Sequence, residues 1–279
     1  MECERLKEIA NRLRAYALWS IYNAKSGHPG GSLSCADIIA ALYFKILNVD
    51  PNWPSWPKRD RFVLSKGHAC PILYAALALR GFFPKELLAT LRNIDSPLQG
   101  HPDPLTTPGL DSTAGSLGQG LSISLGMALA TRLQKSSYHV FCLLGEGDMQ
   151  EGQTWEAISF ASHYRVNNLT AIADCNGLQG EGEVAKIHNI EPLANRWRSF
   201  GWNVFEIDGH DMTAIVSTLE TTKRESGGPC VVIAHTTKGK GVSFMENRAE
   251  WHGSRGLTKE EFEQSIKELG LVHEFELRC

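Results

Sequence analysis

The sequence lacks the marks of several whole classes of protein. No segment approaches the roughly 18 consecutive apolar residues of a membrane-spanning helix. The N-terminal stretch MECERLKEIANRLRAYALWS is charged and amphipathic, without the apolar core and cleavage site of a secretory signal. Positive charge is not in surplus. The 28 Lys and Arg against 31 Asp and Glu leave a net charge of −3, so neither a nucleic acid nor a membrane surface is expected as partner. Cysteine pairing is missing as well: the seven cysteines are odd in number and form no C-x-x-C. Cys3, Cys35, Cys70, Cys142, Cys175, Cys230 and Cys279 are scattered through apolar segments, as small buried thiols of a reducing compartment are, and the cytoplasm is the expected location. Internal repeats, low-complexity tracts and a clear linker are absent too. The chain, residues 1–279, is therefore read as one domain.

What is present is an alternation of strands and helices. Leu6, Ile9, Ala10, Leu13, Ala17 and Ile21 fall at helical spacing and predict a first helix over about 25 residues, ended by a loop SGHPGGS. A second helix is predicted over Ala36–Leu47, a proline-rich loop after it, and a short strand at RFVLS, followed by a turn at KGHAC. Pro84 suits the first position of a helix through Leu91. Residues 93–117, with Pro97, Pro102, Pro104 and Pro108, form an irregular stretch long enough to suggest function. Beyond it come a helix over about 117–133 and the strands YHVFCLL, NLTAIAD, WNVFEID and PCVVIAH, separated by helices. Asp211 is predicted to cap one helix, and Thr258 with Glu261 to form a capping box on the last. The pattern predicts an α/β fold with a parallel sheet flanked by helices, and ligands bound beyond the carboxyl ends of the strands.

Carboxylates crowd one such strand end. In FCLLGEGDMQEGQTWEA the apolar run stops at Gly145, and Glu146, Asp148 and Glu151 follow before the next helix. Gly145 and Gly147 let a ligand approach the backbone, and the helix start offers free N–H groups to an anion. Acids would repel a bare phosphate, but a divalent cation between carboxylate and phosphate removes the conflict. Asn176, and the backbone carbonyl of Leu178, add oxygen ligands 30 residues further on, the length of a βαβ unit. Acids at a helix start also have a purely structural use, since they favour the dipole there. The spacing G-x-G-x-x-x-x-G does not fit a dinucleotide fingerprint, and KGKG at 238–241 lacks the frame of a P-loop; a mobile loop over the active site is the expected role of that segment. His28, His68 and His101 each follow a glycine in a loop, and His252 precedes one, which suits proton transfer to a ligand. His210 is read as a turn element, and Asp111 and Asp174 as structural polar groups.

With the next loop, DCNGLQ, the segment GEGDMQEG resembles the thiamin-diphosphate motif. AKSGHPGGSLSCADI, RFVLSKGHA, GHPDP, STAGSLGQGLSISLGMA, EGQTWEA and HTTKGKGVSFMENRAEWHG extend the likeness over the whole chain, which resembles the N-terminal, diphosphate-binding part of transketolase. The resemblance implies a thiamin-diphosphate-binding fold, with Mg²⁺, or Ca²⁺ or Mn²⁺, held by Glu146, Asn176 and the Leu178 carbonyl. It implies a cofactor-binding set of His68, Gly115, Ser116, Leu117, Gly147, Glu151 and Asn176. It gives Glu151 a place in the communication path between paired active sites, facing the subunit interface. His28, His101 and His252 would line the substrate channel as catalytic groups. The family usually has Asp first in this turn and Glu two positions later. Here Glu146 and Asp148 are exchanged, leaving two candidates for the metal, of which Glu146 is preferred because Gly147 then stays beside the diphosphate.

In transketolase a glutamate of a second, pyrimidine-binding domain activates the cofactor. That domain would follow the region seen here, which leaves two readings, a cut fragment or one subunit of a split transketolase; the subunit is preferred, with a partner subunit carrying that domain in an α₂β₂ assembly. The implied reaction is transfer of a two-carbon ketol unit from a ketose, usually phosphorylated, to an aldose, with a pentose-phosphate role as the default. Competing readings are another thiamin enzyme (deoxyxylulose-phosphate synthase-like or a split decarboxylase), a nicotinamide-binding domain, and a noncatalytic homologue.

Overall fold

The computed structural model of the chain describes residues 1–180, 182–253 and 255–275. Cys279 lies outside them, and the six other cysteines are free thiols. Strands β1 (Arg61–Leu64), β2 (Val140–Gly145) and β3 (Leu169–Cys175) run parallel, side by side. A small antiparallel ribbon follows, β4 (Leu178–Gln179) with β5 (Gly182–Glu183). Strands β6 (Asn203–Asp208) and β7 (Cys230–His235) then rejoin the main sheet in reversed order, giving β1-β2-β3-β7-β6, all parallel. The predicted α/β class is observed. β2 and β3 are neighbours, with Gly145 in register with Asp174, so the two loops singled out in the sequence leave the sheet together.

Alternate strand residues enter two different cores. Phe141 and Leu143 pack with α1 (Glu2–Ala24), α2 (Pro29–Ser34), α3 (Ala36–Ala41) and α4 (Cys70–Arg80). Val140, Cys142 and Leu144 pack on the opposite face with α5 (Gln119–Gln134) and α6 (Gly152–His163). The short α7 (Val184–Ile187) and α8 (Leu193–Ser199) join that second face, whereas α9 (Met212–Arg224), α10 (Lys259–Glu268) and α11 (Val272–Phe275) join the first. Burial on both faces is why the strands read as unbroken apolar runs.

Differences from expectation have identifiable causes. SGHPGGS is not all loop: Pro29 opens α2, its missing N–H costing nothing at a helix start. The predicted Ala36–Leu47 helix is α only to Ala41 and winds on as a π turn over Leu42–Ile46. Periodicity does not signal α4, because nine of its 11 residues are buried and no polar face gives it a period. Pro84 precedes a run of 3₁₀ turns, Lys85–Thr90, in which Leu88 alone is buried, too narrow a face to hold a longer helix. Both predicted caps are present. Asp211 accepts the N–H groups of Thr213 and Ala214, and Thr258 and Glu261 bond reciprocally at α10.

Candidate active site

The carboxyl ends of β1, β2, β3 and β7 frame a cleft of about 320 Å³. The two acids after β2 do different things in it. Asp148 is wholly buried and turned inward. Its Oδ1 accepts from Ser65 Oγ at 2.5 Å and from the Gly118 N–H at 2.8 Å, and its Oδ2 from the Gly145 N–H at 2.8 Å. One carboxylate thus ties the ends of β1 and β2 to the start of α5. Burial raises its pKa despite these bonds. Gly118 itself has φ +79°, and a Cβ there would come within 2.5 Å of Glu151 Cβ, so the turn requires glycine. Glu146 reaches across to the β3 loop instead. Its Oε2 accepts the N–H groups of Asn176 at 3.0 Å and Gly177 at 2.9 Å. Burial pushes its pKa up to about 7, and the Asp174 charge adds to this, while the two backbone bonds oppose it. It is a carboxylate short of a cation.

Two lysines stand close by. Lys66, just past β1, is buried against Asp174 in an ion pair whose other bonds come from Ser34 and Thr236 to the carboxylate, and run from the ammonium to the Gly31 carbonyl at 2.8 Å. Burial works against the Lys66 charge, but Asp174 outweighs it and holds the ammonium above its ordinary pKa. Lys238, just past β7, is 2% exposed. Its Nζ lies 3.2 Å from the Leu178 carbonyl oxygen and 3.3 Å from His252 Nδ1. Burial, helped by the Lys66 charge, lowers its pKa to about 8. The start of the 238–241 segment is therefore packed rather than loose: Lys238 lines the cleft and the Gly239 N–H is bonded to the Gly30 carbonyl, while Lys240 and Gly241 are half-buried.

Three imidazoles form a triangle above these groups. Ring centres are 5.0 Å apart for His28 and His68, 5.3 Å for His68 and His252, and 5.8 Å for His28 and His252. Burial lowers their pKa values, to about 4 for His28, about 2 for His68 and about 4 for His252, with the nearby cations adding to it. All three are neutral near pH 7, able to donate through one nitrogen and accept through the other. His28 Nδ1 is buried without a hydrogen-bond partner.

Of the residues expected from the sequence, His28, His68, Gly115, Leu117, Glu146, Gly147, Glu151, Asn176, Leu178 and His252 line this cleft. Ser116 and His101 do not line it. Ser116 is exposed; the His101 ring stands at the rim beside Gly115, 3.4 Å from where a Cβ would be. Lys66, Lys238, Gln150 and Gln179 line the cleft without having been singled out. A basic residue just past a parallel strand, in SKGH and in TTKGKG, was the available signal for the two lysines. Asp111 is structural as expected, pairing with Arg59 and accepting the Phe62 N–H. Asp174 also has a structural partner, in the cleft floor.

A divalent metal would find oxygen donors here: the Glu146 carboxylate, Asn176 Oδ1 and the Leu178 carbonyl. Among the described residues no three His, Cys, Asp or Glu side chains converge as a metal cage. One carboxylate with neutral oxygens suits Mg²⁺, which keeps further places for phosphate and water. The residues fit a metal diphosphate: a desolvated carboxylate in want of a cation, a cation with a donor to spare, and an unpartnered His28 nitrogen.

Known proteins resemble the chain over nearly its whole length. The family described as transketolase, thiamine diphosphate binding domain, matches residues 5–278. The 6-deoxy-6-sulfo-D-fructose transketolase subunit SqwG of Clostridium sp. (strain MSTE9) is 46% identical over 95% of this chain and 96% of its own length. One of the subunits of the apulose-4-phosphate transketolase of Phocaeicola vulgatus is 40% identical over 96% of this chain and 95% of its own. The crystal structure of transketolase from Campylobacter jejuni superposes with a TM-score of 0.90 at 35% identity, covering 97% of this chain and 43% of that one. The chain belongs to the transketolase family, as its thiamine-diphosphate-binding domain.

Proposed function

We propose that this chain is the diphosphate-holding subunit of a two-subunit transketolase, which moves a two-carbon ketol unit from a ketose to an aldose with thiamin diphosphate and a divalent metal. The observation that carries the metal assignment is the contrast between the two acids. Both oxygens of Asp148 are occupied by backbone and Ser65 donors, whereas Glu146 Oε1 is free of any protein hydrogen bond among the described residues. Glu146, Asn176 and the Leu178 carbonyl hold the metal. Lys238 meets the Leu178 carbonyl and His252 with two of its three N–H donors; it gives up that carbonyl where the metal takes it and turns to a phosphate oxygen. Gly147 allows the close approach, since a Cβ there would already stand 3.1 Å from Leu117 Cδ1.

Thiamin diphosphate, when bound, supplies the carbanion chemistry that breaks and re-forms the carbon–carbon bond beside a ketone. The chain's own part is to orient and to manage protons. Neutral His28 and His252 donate to sugar hydroxyls or a developing oxyanion and accept a proton in return, and His68 contacts the cofactor. His101 and Ser116 belong to the rim, and Glu151 to the edge where a partner would meet the cleft. The activating glutamate comes from that partner, in an α₂β₂ assembly in the cytoplasm. Two relatives matched over nearly their whole length carry the name of transketolase subunits, which supports the split. Their names differ in the sugar, so the sugar is not carried over; a sugar phosphate of the pentose series is the default.

Calorimetric titration of thiamin diphosphate, with and without Mg²⁺, tests the reading. Binding is expected to require the metal and to weaken by at least about tenfold in Glu146→Gln. Metal-independent binding overturns the site; robust ketol transfer by the chain alone overturns the split.

A further inference from the structure

We infer that His210 is a positioning residue for Lys238; this rests on the reading of Lys238 as the cation for the diphosphate. His210 stands in the turn between β6 and α9 and does not line the cleft. The sequence marks it only as a turn element, but its ring bridges two distant segments. Nδ1 lies 2.8 Å from Asp37 Oδ2, and Nε2 lies 2.8 Å from the Thr237 backbone nitrogen. A carboxylate only accepts and a peptide N–H only donates. One tautomer satisfies both, with the proton on Nδ1 and the lone pair of Nε2 facing Thr237. Asp37 is fixed in turn by Arg14, 2.5 Å away and equally buried. The chain of contacts runs Arg14, Asp37, His210, Thr237, and the next residue is Lys238.

The backbone around Lys238 is held at several points by different parts of the fold, the Lys238 carbonyl itself accepting the Asn247 N–H at 2.9 Å. The Thr236 N–H donates to the Cys175 carbonyl at 2.9 Å, and the Gly239 N–H to the Gly30 carbonyl at 3.0 Å. Of these anchors, the one at Thr237 is a side chain. Satisfying one amide does not require a buried Arg–Asp–His chain, whose charges are costly to desolvate. Its distinctive property is direction: the Asp37 bond fixes the ring, and the ring fixes the Thr236–Thr237 peptide, one residue before the Lys238 stem. The ammonium sits at the end of a four-carbon stem, so a small rotation of that peptide displaces Nζ from the place where a phosphate oxygen would meet it.

The test is a double-mutant cycle on the full chain, read as the affinity for thiamin diphosphate with Mg²⁺ by calorimetry. His210→Asn keeps a donor for Asp37 in place of Nδ1 and loses the acceptor for Thr237. His210→Gln extends an acceptor toward Thr237. Affinity is expected to fall about tenfold in His210→Asn, further in Lys238→Met, and no further in the double variant than in Lys238→Met alone. His210→Gln recovers most of the loss. Losses that multiply in the double variant, or an unchanged affinity in His210→Asn, overturn the proposal and leave His210 a structural residue. An unchanged affinity in Lys238→Met instead overturns the diphosphate reading of Lys238, and the proposal falls with it.

Discussion

At the amino end of the sheet Asp60 accepts the N–H groups of Asn48 and His139 and the ammonium of Lys223, while His139 Nε2 meets Thr170 Oγ1. The amino end keeps one unmet atom, the buried Arg59 Nε; at the carboxyl end several incompletely partnered groups face one cleft. His28 Nδ1 has no partner, Lys238 has a donor to spare, and Glu146 has an oxygen to spare. Burial is similar at the two ends, so polarity alone does not mark the functional one. A buried polar group without its full set of partners is costly in a folded protein. Where several such groups face one cleft, a ligand is the partner they lack.

The comparison can be broken at Lys66, which lines the cleft and yet has a full set of partners. If partner completeness separates architecture from function, Lys66 is architecture. Lys66→Met leaves Asp174 charged, buried and unpaired, and is expected to lower the unfolding free energy by about 3–5 kcal/mol. Lys66→Met with Asp174→Asn should recover part of the loss, because neutral replacement of a buried pair is far milder than removal of one partner. Denaturant titration measures both. Unaltered stability with lost cofactor binding would move Lys66 to the functional set and undo the distinction.

The two acids of the β2 turn sharpen it within three residues. In Asp148→Asn an amide group must face either the Gly145 N–H or the Ser65 and Gly118 donors, so a buried donor is left unmet, and about 2–3 kcal/mol of stability is expected to go. Glu146→Gln removes a charge that burial already penalises, and is expected to leave the unfolding midpoint unchanged or slightly raised while weakening metal-dependent binding. Equal destabilisation by the two substitutions would show that Glu146, too, belongs to the frame.

That division was only half legible in the sequence. Periodicity and the β2–β3 spacing gave the parallel sheet, and glycine-flanked histidines gave His28, His68 and His252. The order of Glu146 and Asp148 left two candidates for the metal because spacing along the chain says nothing about which way a side chain turns; the bonds from Ser65 and Gly118 to Asp148 come from residues 83 and 30 positions away. α4 escaped because a helix buried all round has no stripe to read. Lys238 and His210 escaped for a related reason: their significance lies in partners from α1, α3 and the β4 ribbon, brought together only by the fold.

The amino end offers the smallest effect and the cleanest control. His139 is 5% exposed, and burial lowers its pKa to about 4, with Lys223 lowering it further and Asp60 opposing. In the unfolded chain the same imidazole titrates near its ordinary value of about 6.5. As pH falls below that value the unfolded state takes up the proton first, so the stability tied to neutral His139 is complete above about 6.5 and is lost progressively toward 4. At pH 5 the loss comes to about 2 kcal/mol. Comparing unfolding free energies at pH 7.5 and pH 5 for the unaltered chain and for His139→Gln isolates this contribution, since glutamine can still meet Thr170 but does not titrate. The unaltered chain is expected to lose about 2 kcal/mol more than the variant. The difference should also persist unchanged when thiamin diphosphate and Mg²⁺ are added, because His139 Nε2 is already bonded to Thr170 and the ring lies at the far end of the sheet from the cleft. A pH dependence that responds to the ligand would mean that the two ends are coupled, and that completeness of partners is not what separates them.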